Sequence, residues 1–367
     1  MPVRVLINGL HSKSGGGVTY LRNMLPLLAA DPRLEVHLAL HAGQEALYQP
    51  VDPRLRLHLF DFRTGFLRLL LWEQTVLPRV ARALGAEVVY SPANYGPLMA
   101  PNAVLLLSNA VAVGKSERRW GKRLYWVALS VMTFLSLLTC RRAMAVSGYA
   151  RDALAHGWGG RRRGEVAVVH HGVAPLFAPD PQVEREPFLL AVSDIYVQKN
   201  LHSLLRAFAP VRARHPALRL VVAGAKLDQD YYDGALALVA ELGLADAVRF
   251  TGRLPAEELR ALYRRCLLFV FPSTAETFGM PLVEAMACGA PVASSNATAM
   301  PEIVGDAALL FDPRDEAAIT DALCRLIDSP GLRADLSRAA LRRAAAFSWQ
   351  RAADATAAIL CQAAGRR

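Results

Sequence analysis

Short apolar runs alternate along this chain with longer segments whose apolar positions return every three or four residues, the signatures of buried strands and of one-sided helices. In the first half Val3–Ile7, Glu35–Leu40, Val88–Tyr90, Val104–Leu107 and Ala143–Val146 read as strands, and Leu67–Leu84 reads as helix. In the second half Phe188–Val192, Leu218–Ala223, Val248–Thr251, a run ending in Phe269-Val270-Phe271, Pro291–Ser294 and Leu309–Pro313 read as strands, with Leu201–Phe208 opening a helix. Strands separated by helices predict parallel sheets whose ligands lie at the carboxyl ends of the strands. Pro175, Pro179, Pro181 and Pro187 interrupt the alternation and mark a linker. At 367 residues the chain is too long for one ordinary core. The expectation is α/β, with one domain over 1–175, a second over 187–346 and a last helix over about 347–365.

The pattern is most informative from Phe269 to Glu302. A strand, a polar loop, a short helix over Pro281–Cys288 and a second strand follow one another, with Pro281 suited to the first helical position and Gly289 to the residue after the end. Between Glu276 and Glu302 the one ionisable carboxylate is Glu284, on a helix whose other side chains are small or apolar. Such a helix is buried, and a buried carboxylate is costly unless it is hydrogen-bonded or paired. No Lys or Arg lies between Arg265 and Arg314 to pair with it. Hydrogen bonds from ligand hydroxyls resolve the conflict; so does a neighbouring backbone or a distant arginine, and residue pattern alone leaves both open.

Two further positions carry chemistry. Gly15-Gly16-Gly17 opens an apolar-periodic helix and brings backbone amides to a helix N-terminus, a geometry that favours anions. Lys199 precedes the helix that starts at Leu201 and places its charge at a second strand-to-helix transition.

Composition narrows the partners. The net charge is +10, and all of the excess falls in residues 1–180, the remainder being balanced. A basic half attracts anionic lipid or polyphosphate, and the chain has no zinc-ligand spacing or aromatic signature for nucleic acid. Leu124–Cys140 carries no charge over 17 residues and is flanked by Arg118, Arg119, Lys122, Arg123, Arg141 and Arg142. That length is the lower edge for a membrane span, and the reading is a helix docked on the sheet with a basic-rimmed side toward lipid. Five scattered cysteines without CxxC spacing suit a reducing cytosol, and the N-terminus reads as a strand rather than a signal peptide. Asp228-Gln229-Asp230 spells Asp-x-Asp but reads as solvated surface, and His170-His171 lacks partners at metal-ligand spacing, so no metal site is assigned.

Two Glu separated by seven residues, with Phe278-Gly279 after the first and Ala-Met-Ala-x-Gly-x-Pro-Val after the second, resemble the nucleotide-sugar signature of retaining glycosyltransferases of family 4. The resemblance runs from the Gly-rich N-terminus to Phe347-Ser348-Trp349, and Ser295 to Asp306 is similar to the mannosyl- and rhamnosyltransferase branch that builds surface polysaccharides. It implies the GT-B fold, two Rossmann-like domains with parallel sheets facing across a cleft, the first binding acceptor and the second binding the nucleotide-sugar, with the last helix packing back on the first. It implies a metal-independent hexosyl transfer with no cofactor, to a glycan or lipid-linked acceptor, on the cytoplasmic side and peripheral on the inner face of the membrane.

Carried over position by position, the resemblance makes Glu276 and Lys199 catalytic. Gly16, Gly17, Lys199, Gly252, Arg253, Thr277, Phe278, Gly279, Met280 and Glu284 become donor-binding, with Ser108, Asn109 and His171 on the acceptor side, the last in a cleft-facing loop. The donor expected first is GDP-mannose or a deoxysugar nucleotide, with a UDP-sugar open. Two departures stand out: Asp194 occupies a place where the family often has a phosphate-neutralising Arg, and Ser108 a place where it commonly has His. A synthase releasing a soluble glycoside, or a non-catalytic nucleotide-sugar-binding subunit, is the alternative.

Overall fold

A computed structural model describes residues 1–13, 15–63, 65–108, 120–155 and 166–366. The chain forms two compact units, one of Met1–Gly172 joined by the segment from Ser348 onward, the other of Val173–Phe347.

The first unit holds a parallel sheet of β1 (Val3–Asn8), β2 (Leu34–His41), β3 (Arg56–Phe60), β4 (Val88–Ser91), β5 (Val104–Leu107), β6 (Arg142–Ala145) and β7 (Val166–Val168), in the order β3-β2-β1-β4-β5-β6-β7. Strands covered on both faces read as continuous apolar runs, and β4 and β5 are buried at every residue. The two outermost strands escape the pattern: β3 alternates Arg and His with Leu at a half-exposed edge, and β7 spans only three residues.

Its helices are α1 (Gly15–Ala30), α2 (Phe66–Thr75), α3 (Leu77–Ala83), α4 (Trp120–Thr139) and α5 (Gly148–Ala155). The single helix expected over Leu67–Leu84 is two, broken at Val76. Pro78 has no N–H to give Gln74 and its ring crowds that carbonyl, so the helix restarts.

The second unit holds β8 (Glu186–Val192), β9 (Arg219–Ala223), β10 (Val248–Gly252), β11 (Cys266–Phe271), β12 (Val292–Ser295) and β13 (Ala308–Phe311), all parallel, in the order β10-β9-β8-β11-β12-β13. Helices α6 (Leu201–Arg214), α7 (Gln229–Glu241), α8 (Ala256–Arg265), α9 (Met280–Ala287), α10 (Met300–Val304), α11 (Glu316–Asp328) and α12 (Pro330–Ala344) connect and cover them. One buried cluster runs from Leu189 and Phe208 through Leu238, Leu268 and Val270 to Leu323. At the end of β9, Gly224 lies so close to Ser193 that a Cβ would sit 1.8 Å from its carbonyl oxygen. Only glycine lets those two loops touch.

From Ser348, whose hydroxyl caps it, α13 (Trp349–Ala363) returns to the first unit and packs on α1, β1 and β4. Buried Ala352, Ala353, Ala357 and Leu360 form its apolar face. The five cysteines are free and buried.

Candidate functional site

In the second sheet β8 lies between β9 and β11, so the chain leaves it toward opposite edges. Such a switch point opens a crevice at the carboxyl ends of the strands. The loops after β8 and β11 carry the two residues of greatest chemical interest.

After β8 the chain makes one tight turn over Val197–Lys199, then Asn200 takes left-handed backbone at φ 56° and starts α6. Asparagine tolerates that conformation, and its Nδ2 donates to the Pro313 carbonyl at 2.6 Å. The loop after β11 is tied to this turn by Thr274, whose backbone N–H and hydroxyl both donate to the Gln198 carbonyl, at 2.8 and 3.2 Å. Two residues on, the Glu276 N–H donates to the Thr298 hydroxyl at 3.0 Å. Thr298 itself holds φ 55°, a conformation a β-branched residue adopts only under strain.

These ties bring Lys199 Nζ to 2.5 Å from Glu276 Oε1, with each side chain less than 15% exposed. Burial alone lowers the lysine, but the Glu276 carboxylate and the Tyr196 hydroxyl outweigh it and hold the ammonium up to about 12. The lysine is charged at every physiological pH. An ammonium has three donors; Glu276 and Tyr196 take two, leaving one N–H. Glu276 Oε2 has no hydrogen-bond partner among the described residues.

Eight residues further, Glu284 lies on α9. Its partner is neither a backbone group nor a distant arginine but the Tyr263 hydroxyl on α8, which donates to Oε2 at 3.0 Å. Burial pushes the Glu284 carboxyl up to about 7, with the Tyr263 hydrogen bond opposing. Its Oε1 has no partner among the described residues.

The remaining residues of this stretch serve the backbone. Phe278 is buried with its ring edge-on to Phe347, so only its main chain faces the loop. Gly279 caps α9 at φ 89°, and Met280 and Thr277 are partly exposed. At the ends of β8 to β10, Arg253 reaches Asp194 at 3.4 Å, and Asp194 Oδ1 also accepts from the Ala225 N–H at 3.0 Å. A cation therefore stands beside the residue that departs from the family pattern, carried by the Gly252-Arg253 turn. Asp228 caps α7 through the Tyr231 N–H, an ordinary structural role.

In the first unit Gly16 and Gly17 form the first turn of α1, whose amides have no intrahelical acceptor. The Ser108 N–H donates to Asn94 Oδ1 at 2.8 Å. Asn109 lies outside the described residues. His171, read from the sequence as a cleft-facing loop residue, has its ring buried against Tyr20 and Trp349, and burial with neighbouring His170 pulls it down to about 3. An imidazole packed on two aromatic rings loses its hydration and stays neutral.

Sequence reasoning missed Tyr196, Tyr263 and Thr298. A tyrosine on the buried side of an amphipathic helix needs a hydroxyl partner, which is the signal Tyr263 offered. It also missed a buried network at the switch point of the first sheet, where Asn8 Nδ2 donates to Glu73 Oε1 at 2.6 Å and His11 joins Glu73 to Tyr95, at 3.1 and 3.2 Å.

Residues 176–343 match the family described as glycosyl transferases group 1. The matched segment lies within the second unit. It is 34% identical over 174 residues to O-antigen chain mannosyltransferase B of Escherichia coli, covering 46% of this chain and 44% of that protein. The chain thus spans less than half the length of that curated relative. Sucrose-phosphate synthase from Thermosynechococcus elongatus superposes with a TM-score of 0.79 at 20% identity over 98% of both chains. HepE from Anabaena, solved in complex with UDP-glucose, gives 0.78 at 19% identity over 98% of this chain and 99% of its own. At those identities the likeness shows the fold, which is GT-B, built here from Rossmann-like units of seven and six parallel strands.

Proposed function

We propose that this chain is a retaining, metal-independent glycosyltransferase that moves a hexose from a nucleotide-sugar to a glycan or lipid-linked acceptor in surface-polysaccharide assembly. One observation carries the reading. At the switch point of the second sheet, Glu276 keeps one oxygen without a partner among the described residues beside a lysine with one N–H to spare, and Glu284, on the helix that follows the same loop, keeps another. A ligand rich in hydroxyls and bearing a diphosphate satisfies all three.

In this assignment Glu284 accepts from ribose hydroxyls and Glu276 Oε2 from the sugar. Lys199 donates to the diphosphate, where negative charge grows as the anomeric carbon–oxygen bond breaks. The acceptor oxygen attacks the same face and its proton passes to the departing phosphate oxygen, so no side-chain base is required. Arg253, beside Asp194, supplies a second positive charge toward the phosphates. Thr277, Phe278, Gly279, Met280 and Gly252 contribute main chain. Gly16 and Gly17 offer amides to an anionic group, and Ser108 and Asn109 belong to the acceptor side. The similarity to a protein named O-antigen chain mannosyltransferase B supports GDP-mannose as the first donor to test, and HepE, solved with UDP-glucose, keeps UDP-sugars beside it.

A lipid-borne acceptor is favoured by α4. Thr133 and Ser136 face inward, Ser136 reaching Gly96, while Leu124, Val127, Val131 and Leu138 are exposed along the opposite side. Leu67 and Leu71 of α2 and Met99 are exposed as well, and exposed Arg68 and Arg141 lie on α2 and just past the end of α4. No described helix is long and apolar enough to cross a membrane. An outward aliphatic stripe on a unit that carries the chain's excess positive charge suits an anionic bilayer surface.

The test is thermal stabilisation by UDP, GDP, dTDP and ADP and their sugars, with Mg²⁺ or with EDTA, followed by sugar transfer to lipid extract. Stabilisation by one nucleotide that persists in EDTA, abolished by Glu284→Ala, is expected. Unchanged transfer by Glu276→Ala overturns the catalytic assignment.

A further inference from the structure

Tyr263 is fully buried, caged edge-on by Phe177 and Phe269, and its hydroxyl donates to Glu284. A buried tyrosine hydroxyl without a partner is costly, and so is a buried carboxylate. Each is the other's partner, and no Lys or Arg among the described residues acts on Glu284. Cys288, at the end of the same helix, faces Glu284, and Cys266 and Cys288 face Tyr263. Arg185, Arg260 and Arg264 act on Cys288 rather than on the carboxylate. Packed against α9 from the other sides, α10, α12 and β12 bring no charge that acts on it.

We propose that Tyr263 is a positioning residue for donor binding: it fixes Glu284 Oε2, turns Oε1 toward the ligand, and makes nucleotide binding release a proton. The inference rests on the donor-site reading given above. A carboxylate with one neutral donor and no cation is poorly stabilised as an anion in the empty site. Two ribose hydroxyls donating to it stabilise the anion, so the ligand selects the ionised form. Affinity then rises with pH until the empty-site carboxyl is fully ionised, and levels above that point. The Tyr263 hydroxyl pulls in the same direction as the ligand, because a hydrogen bond to the charged form favours it.

The experiment is calorimetric titration of the full-length chain with UDP and with GDP from pH 5.5 to 8.5, for wild type, Tyr263→Phe, Glu284→Gln and the double variant. Heats in two buffers of different ionisation enthalpy count the protons released. For whichever nucleotide binds wild type, affinity climbs with pH to about 7 with release of a proton below it. Tyr263→Phe binds about tenfold more weakly at pH 7, the cost of one hydrogen bond to a charged group, and its pH midpoint moves upward. Glu284→Gln loses the carboxylate's share of the pH dependence, and adding Tyr263→Phe to it leaves the profile unmoved. If Tyr263→Phe keeps the wild-type midpoint while Glu284→Gln loses affinity, the positioning role is overturned and the donor-site reading stands. If Glu284→Gln binds like wild type, or neither nucleotide binds wild type, the donor-site reading is overturned and the inference with it. A variant that merely loosens the fold lowers affinity at every pH without moving the midpoint, which also counts against the proposal.

Discussion

Lys199, Glu276 and Glu284 are each satisfied in part by neighbours and left with capacity for one more partner, and that partial satisfaction has measurable consequences residue by residue. The folded value of Glu284, about 7, lies above its ordinary 4.5. Its contribution to stability is therefore intact below pH 4.5 and is lost as pH rises through 7. Glu284→Gln keeps an acceptor for Tyr263 and removes the charge, so the ligand-free variant melts like wild type at pH 4.5 but is more stable at pH 8, by up to about 3 kcal/mol. Chemical denaturation at the two pH values checks this; equal shifts at both mean the carboxylate is not raised. For the Lys199–Glu276 pair the sign reverses. Lys199→Met strands a largely buried carboxylate and costs about 2 kcal/mol, whereas Lys199→Met with Glu276→Gln recovers most of the stability and none of the transfer.

Single elements set how these side chains are presented. Gly279 at φ 89° caps α9 in left-handed backbone, and a Cβ there would lie 3.1 Å from Leu282 Cδ1. Gly279→Ala combines a backbone penalty with crowding, an expected loss of about 1–2 kcal/mol, read as a lowered melting temperature together with weaker nucleotide binding. Helix α4 gives a contrasting case, because its outward face is aliphatic and carries no packing. Val131→Asp leaves the melting temperature unchanged and removes salt-sensitive flotation with vesicles containing anionic phospholipid. Equal flotation of variant and wild type sinks the lipid-surface reading of that helix.

Across the whole molecule the chain's order and its cores part company. Helix α13 follows the second unit in sequence, yet buries Trp349, Ala353 and Leu360 within the first. Ending the chain after Phe347 removes one wall from α1, β1 and β4. Hydrogen exchange on the truncated protein should show lost protection in those elements, with β8 to β13 still protected. Uniform loss in both units contradicts the division.

Legibility from sequence followed local physics. Buried parallel strands are apolar throughout, so most of both sheets was readable. So were the short α9 between Pro281 and Gly289, and Glu284 as the charge without a local partner. The edge strand β3 escaped because half its residues face solvent, and the break at Val76 because periodicity continues through it while Pro78 does not. What sequence could not give is any contact made across a sheet. Lys199 and Glu276, 77 positions apart, and Glu284 and the hydroxyl of Tyr263 on a neighbouring helix, are linked only by the register of β8, β11 and the helices packed on them. His171 shows the same limit from the other side: a polar residue in a loop is indistinguishable from an exposed one until Tyr20 and Trp349, distant in the chain, close over it. Composition and spacing determined which groups need a partner, because the cost of burying a charge is a property of the residue. Only the packed sheets and helices decided who that partner is and which oxygen remains for a ligand.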